Sequence, residues 1–506
     1  MQKNILIAIG AFISLIAIVL IVVLVASRKP SGPKPLTYPK EPVTLTYWRL
    51  FDDEDVFKDA LTEYKRMHPN VTINYVKKDY ETYEEDLLNA LAAGTGPDIF
   101  MLRHDMIPKH LDKLAPAPQG FNLIEQGKNE PKKDLPTQFK ELFVKAAYDD
   151  LVYDNKVYGV PLWMESLGLF YNPQLFEKAS EEQSQILSER ARGIESEAEQ
   201  EKISNERQRI SKLLSGPPQN WTDFIEVTKL LTKKDEKGNI VRAGIALGGG
   251  KNTIKSADIL SLLMLQNNTQ MTTADKKTAA FNLSVKKTDG SIVYPGTSAL
   301  EFYTSFARQT KETYTWNKTL PDSVTAFGEQ KAAMMFYYSY MAPILKRKYP
   351  ELRFEMAPMP QIKGITDRVD YSFFWGEVVS KNTPYPLVAW DFLKFISSKE
   401  NAMQYSQTAQ RPTALLEKAK QAASEAQTAY LENFTGLNVF DAQALTATNW
   451  YKGGEPQKIS EIFQNMIEAT VEKGQSPQAA IDAAAASVTN ILGQAEPLIE
   501  REKKEL

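Results

Sequence analysis

The sequence predicts an α/β body carried behind a membrane-spanning helix. Residues 43–102 run strand, helix, strand, helix, strand, the order of parallel βαβ units. The same alternation returns between residues 156 and 397. Ahead of both stands an apolar run, residues 5–26, in which Ser14 is the only polar side chain.

In chain order, a short segment, 1–4, precedes that run. As a helix, 5–26 would span about 33 Å, enough for a bilayer core of about 30 Å. It exceeds the roughly 7–15 apolar residues of a cleavable leader, and LVASRK at 24–29 offers a poor cleavage site. The reading is an uncleaved transmembrane signal anchor, with a cleaved leader as the alternative. Lys3 on one side against Arg28 and Lys29 on the other leaves the positive-inside rule close to a tie. Residues 27–42 hold five prolines, a semi-rigid spacer.

Val43–Trp48 alternates as a strand. Asp52–Asp55 then suits the first turn of a helix with Phe57, Ala60, Leu61 and Tyr64 on one face. Val71–Val76 is a second strand, 81–93 a helix stopped by Gly94, and Asp98–Leu102 a third strand. Lys156–Pro161, Leu167–Tyr171, Gly244–Leu247, Lys331–Phe336 and Phe354–Pro358 read as strands, and Trp221–Thr232 and Trp390–Ser397 as helices. Two helices close the chain, one with Ile459, Ile462, Phe463, Met466 and Ile467 on one face, the other Ala-rich from Pro477 to Leu492. Residues 177–214 hold nine acidic and seven basic residues and no aromatic. Ile186, Ile194, Ile203 and Ile210 space them as a charged helical hairpin turning at Gly193, with a charged loop as the alternative.

Composition narrows the chemistry. Lys and Arg number 60 against 63 Asp and Glu, a net −3 over 506 residues, which argues against binding nucleic acid by bulk charge. The chain has no cysteine, so disulfides, thiolate nucleophiles, Cys-bound metals and lipidated cysteines are excluded. Only three histidines exist, His68, His104 and His110. The Gly248–Asn252 run lacks phosphate-loop spacing, and no G-x-S-x-G or H-E-x-x-H occurs. No metal, cofactor or catalytic residue is expected.

Aromatic residues carry more. YYSY at 337–340, FFWGE at 373–377 and NWYKGGE at 449–455 mix rings with polar groups. Sugars offer apolar faces to rings and hydroxyl edges to carboxylates, amides and Arg. Most tryptophans are core by default. Trp375 and Trp450, beside Gly and polar residues, are the better ligand candidates.

Five segments in order resemble the extracellular solute-binding proteins of ABC transporters, of the maltose-binding type. They are LTYWRLFDDEDVFKDALTEYKRMHPNVTINYV at 45–76, AAGTGPDIFMLRHD at 92–105, PLWMESLGLFYNPQLF at 161–176, PPQNWTDFIEVTKLLTK at 217–233 and VAWDFLKFISSKENAMQYSQTAQRPT at 388–413. The resemblance implies two α/β lobes joined by hinge-crossing strands, a periplasmic-binding-protein-like fold. It implies an N-lobe from 43–160 with part of 372–430, a C-lobe from 161–371 with the insertion 177–214, a return to the N-lobe over 372–430, and C-terminal helices over 431–506. It places ligand contacts at Asp53 or Glu54, Asp105, Glu165, Tyr340 and Trp450; Trp163, Trp375 and Arg411 join them as ring and cation candidates from the sequence itself. It departs at Leu102, where an aromatic is common, and at Met106, where an Arg is often useful. The implied function is a carbohydrate-binding, non-enzymatic subunit of an ABC importer. It would be a monomer tethered outside the membrane by residues 5–26, delivering ligand to permease subunits and binding no nucleic acid. Another polar solute, such as a glycerol phosphodiester or peptide, is the alternative; a glycoside-active enzyme and an adaptor docked through 177–214 come after it.

Overall fold

The computed structural model describes residues 38–127, 131–428 and 436–494. The expected anchor at 5–26 and most of the spacer at 27–42 lie outside these residues. Among the described residues no helix is long and apolar enough to cross a membrane.

Ten strands build two sheets: β1 (Val43–Arg49), β2 (Val71–Lys77), β3 (Ile99–Arg103), β4 (Gly159–Pro161), β5 (Glu165–Tyr171), β6 (Met334–Tyr338), β7 (Glu355–Ala357), β8 (Asp370–Phe373), β9 (Trp375–Val379) and β10 (Ala447–Thr448). The first sheet runs β2-β1-β3-β9-β4. β1 lies parallel to β2 and β3, whereas β9 is antiparallel to β3 and β4. β1 buries Val43, Leu45, Tyr47 and Arg49 on one face, so its period of two also carries a charge into the core. Helices α1 (Lys58–Met67) and α2 (Tyr83–Ala92) cross between the parallel strands, as βαβ units require. This core runs from Val43 to Met164, then takes in Phe374 to Ala419 and, further on, Ala444.

The second sheet is centred on β5, buried along its whole length. β6 pairs with one edge of β5, β8 and β7 with the other, and β10 lies parallel beside β8. Its core runs from Leu167 to Tyr371 and adds Val439 to Leu492. The chain therefore passes between lobes at Met164–Glu165, at Phe373–Trp375, and again between the core residues Ala419 and Val439.

Helix starts follow local chemistry. Asn172 caps α3 (Pro173–Ala191) by accepting from the Leu175 N–H, and Asn220 caps α5 (Trp221–Leu231) from the Asp223 N–H. Between them, α3 and α4 (Glu197–Leu214) form a hairpin turned at Gly193, whose φ of +81° suits glycine. Ile203 and Ile210 are buried in its seam with Leu187, but Ile186 is 48% exposed, so the apolar line runs one position later than expected there. Arg190 meets Glu206 across the hairpin at 3.2 Å, and Arg209 reaches Glu226 of α5 at 3.5 Å.

Two element readings need correction. Gly244–Leu247 is not a strand. It is held by single bonds, Ala243 N–H to Lys331 O at 2.8 Å and Ala246 N–H to Met334 O at 3.1 Å. A Cβ on Gly244 would fall 2.2 Å from Thr228 O, so the segment lies too close to its neighbour for regular pleating. Trp390 does not start a helix but sits inside one, Pro386–Ile396, because Pro386 fits the first turn.

Leu187→Ala should lower stability by about 2–3 kcal/mol in urea unfolding, while Ile186→Ala stays within about 0.5 kcal/mol. Equal effects would contradict this seam.

Candidate ligand-binding site

β1 ends on the core-facing Arg49, and the chain turns sharply after it. Phe51 takes a φ of +71°, a strained value for a bulky residue, and its ring is left 38% exposed. Strain of this kind persists where surrounding structure holds it. The Phe51 ring lies 5.8 Å from Trp375, 5.7 Å from Tyr80 and 6.4 Å from Trp163. The Arg411 guanidinium sits over Phe51 at 5.5 Å and over Trp163 at 5.1 Å.

Arg411 also stands between two carboxylates, Asp52 and Glu165, each at 3.7 Å. Glu165 opens β5, at the crossing between lobes, and is fully buried. Its Oε2 accepts the Ser339 N–H at 2.8 Å, while Oε1 has no hydrogen-bond partner. Burial pushes its carboxyl pKa up, and Arg411 and the Ser339 hydrogen bonds only partly oppose that. Ser339 and Tyr340 follow β6. Tyr340 packs at 6.0 Å on Tyr338 and at 5.6 Å, edge on, against Tyr337.

A second polar group lies nearby. Asp105 binds Arg103 at 2.5 Å and Lys452 of the other lobe at 3.5 Å. The Tyr338 hydroxyl donates to Asp258 at 2.9 Å, and the Lys255 ammonium lies 5.5 Å from the Tyr338 ring centre. Asn449 spans the lobes too, donating to Asp150 at 2.7 Å and Ser372 at 3.0 Å.

The structure thus gathers Trp163, Glu165, Tyr340, Trp375 and Arg411 beside one lobe crossing, Trp163 and Glu165 being buried there, with Asp105 in the adjoining polar group. It does not bring in three others. Asp53 is 71% exposed and paired with Lys77 at 2.7 Å, and Glu54 is exposed in a 3-10 turn. Asp52 is the inward carboxylate, held by the Tyr405 hydroxyl at 2.7 Å. Trp450 is C-lobe core: its indole N–H reaches Ser261 at 3.1 Å and its ring stacks on Phe463 at 5.6 Å. Sequence reasoning missed Phe51, Asp52, Tyr80, Lys255 and Lys452. The acidic run Asp52–Asp55 pointed to charge at this end of β1 but not to which carboxylate turns inward. In the Gly248–Asn252 loop, the Gly250 and Lys251 N–H groups both donate to Glu468, at 2.9 and 3.1 Å.

Residues 59–433 match the bacterial extracellular solute-binding protein family. A protein of Brucella abortus (strain 2308) named as a binding protein is 20% identical over 453 residues, covering 86% of this chain and 89% of that one. The galactooligosaccharide-binding protein of Bacillus subtilis (strain 168) is 29% identical over 131 residues, 26% of this chain and 28% of its own. The crystal structure of the cyclic alpha-maltosyl-1,6-maltose binding protein of Arthrobacter globiformis superposes with a TM-score of 0.65 at 18% identity, covering 90% of this chain and 100% of that one.

Burial raises the Asp105 pKa, but Arg103, His104 and Lys452 outweigh it and hold the carboxyl well below the usual range. Its stabilising contribution is therefore complete above the unfolded value of about 3.9 and is lost as pH falls below that. Asp105→Asn should lower stability at pH 7 and flatten the acid-side loss below about pH 4 in urea titrations. An unchanged acid limb would contradict the ion pairs. With a ring-lined surface between two α/β lobes and a family match over most of its length, the chain belongs to the bacterial extracellular solute-binding proteins.

Proposed function

We propose that this protein captures a carbohydrate between its lobes and delivers it to the permease of an ABC importer. The observation that carries the reading is Glu165: a buried carboxylate whose Oε1 has no hydrogen bond and only the 3.7 Å contact to Arg411, which itself lies over the rings of Phe51 and Trp163. A free acceptor and a guanidinium suit adjacent hydroxyls, and rings suit the apolar faces of a pyranose. Trp163, Glu165, Tyr340, Trp375 and Arg411 are the proposed contacts, with Phe51 and Asp52 added and Asp105 orienting the polar end. The sugar-binding names of the Bacillus and Arthrobacter relatives support the ligand class. The filled amides of Gly250 and Lys251 weigh against a phosphate solute at that loop.

The two lobes would close over ligand by rotation at the crossings near 165 and 374, a motion that hinge segments commonly carry. The chain would act as a binding monomer without turnover. Residues 5–26 would hold it to the outer face of the cell membrane, with 27–42 as spacer.

Isothermal titration of the detergent-solubilised full chain against neutral oligosaccharides should give heat with at least one of them. Glu165→Gln should weaken that binding about 10-fold or more, since hydrogen bonds to charged groups are worth about 1.5–3 kcal/mol. Heat only with peptides or polyamines would overturn the carbohydrate reading.

A further inference from the structure

Behind the ring wall lies a cavity of about 230 Å³ that the cleft residues alone do not explain. Leu87 and Leu91 of α2, Phe100 and Leu102 of β3, and Met106 line one side of it, and Glu81, Glu84, Arg103, Lys113 and Gln457 add polar groups. Its aromatic side is Trp375, which also lines the cleft. The Trp375 ring meets Phe51 at 5.8 Å and Tyr80 at 6.3 Å, and Tyr83 at 6.1 Å. Tyr80 lines the cavity as well and is 58% exposed, so it borders both spaces.

Two buried polar atoms on the lining residues have no partner: the Trp375 indole N–H and Nδ1 of His110. Burial, then Lys113 and Lys109, bring the His110 pKa down to about 4, so its ring is neutral at physiological pH. A buried donor without a partner is a standing cost that a ligand acceptor would relieve. A volume of about 150 Å³ is enough to hold a benzene ring, so this space has room for one beside its polar groups.

We infer that this cavity is an aglycone pocket, taking a flat apolar substituent, an aryl group with an acceptor oxygen, carried by the carbohydrate. The inference rests on the carbohydrate reading of the cleft. The sugar lies against Phe51, Trp163 and Arg411, and its substituent passes the Tyr80–Trp375 pair into the space under α2. Rings favour it because Tyr83, Phe100 and Trp375 offer edges and faces to a flat group.

The test pairs each neutral oligosaccharide of a titration panel with its para-nitrophenyl glycoside, on wild type, Leu87→Trp and Leu91→Phe. Both substitutions fill the cavity without touching the cleft, and the second stands in if the first fails to fold. The expected result is that the nitrophenyl glycoside binds about tenfold tighter or more than its parent, as burial of a ring allows. The filled variants then lose that advantage and keep the parent's affinity. Parent and glycoside binding alike in wild type would overturn the pocket and leave the carbohydrate reading intact. A filled variant that weakens both equally, or keeps the advantage, would also overturn it. Binding of the glycoside and of free nitrophenol, but of no parent sugar, would uphold the ring pocket and remove the carbohydrate reading. Binding of none of the three would overturn both.

Discussion

A line of buried charges runs from the heart of the first sheet to the start of the second. Glu377 on β9 meets Arg49 on β1 at 3.2 Å, Arg49 meets Asp52 at 3.3 Å, and Arg411 then joins Asp52 to Glu165, each at 3.7 Å. Arg49, Glu165 and Glu377 are wholly shielded from solvent. Isolated, each such ion would cost several kcal/mol to desolvate, so none is tolerable without the next. Burial pushes the Glu377 carboxyl up, and Arg49 and the Tyr47 hydroxyl, donating at 2.8 Å, oppose it. The alternation of charge explains why β1 can present an arginine to a hydrophobic core at all. It also explains why three distant stretches of sequence, near 49, 165 and 411, must converge.

The rest of the cleft depends on that convergence. Arg411 can lie over Phe51 and Trp163 only because Asp52 and Glu165 hold it from both sides. Met164 N–H bonds to Pro412 O at 3.2 Å, so the crossing before β5 is tied by backbone to the loop that carries Arg411. The crossing at Phe373–Trp375 lies in the same place: Phe373 pairs with Glu165 across β8 and β5, and Trp375 supplies the ring shared by the cleft and the cavity behind it. Lobe crossing, charge line and ring wall are therefore one structure.

Much of the fold was legible because periodicity survives burial. β1, β2 and β3, their intervening helices and the hairpin at 177–214 carry patterns of two or 3.6 residues that tertiary contacts reinforce. The two-lobed arrangement was legible only through resemblance, since no local pattern marks a lobe crossing. The residues at the lobe crossing were legible where one sits on a strand end, as Glu165 does. Legibility failed at Asp52–Asp55, where four acids in a row leave the inward one to be chosen by a turn at Phe51 that no glycine or asparagine announces. It failed at Trp450 because sequence neighbours are not spatial ones: Ser261 and Phe463, from two distant helices, claim that ring. Gly244–Leu247 has a strand's composition, but its glycine packs against Thr228.

The measurement that bears most directly on the charge line is a double-mutant cycle in urea unfolding of the ligand-free protein, combining Asp52→Asn with Glu165→Gln. Both carboxylates act through Arg411, so the account predicts a coupling of about 0.5–3 kcal/mol between them. Effects that add to within about 0.3 kcal/mol would mean that Arg411 does not join the lobes, and would contradict the account.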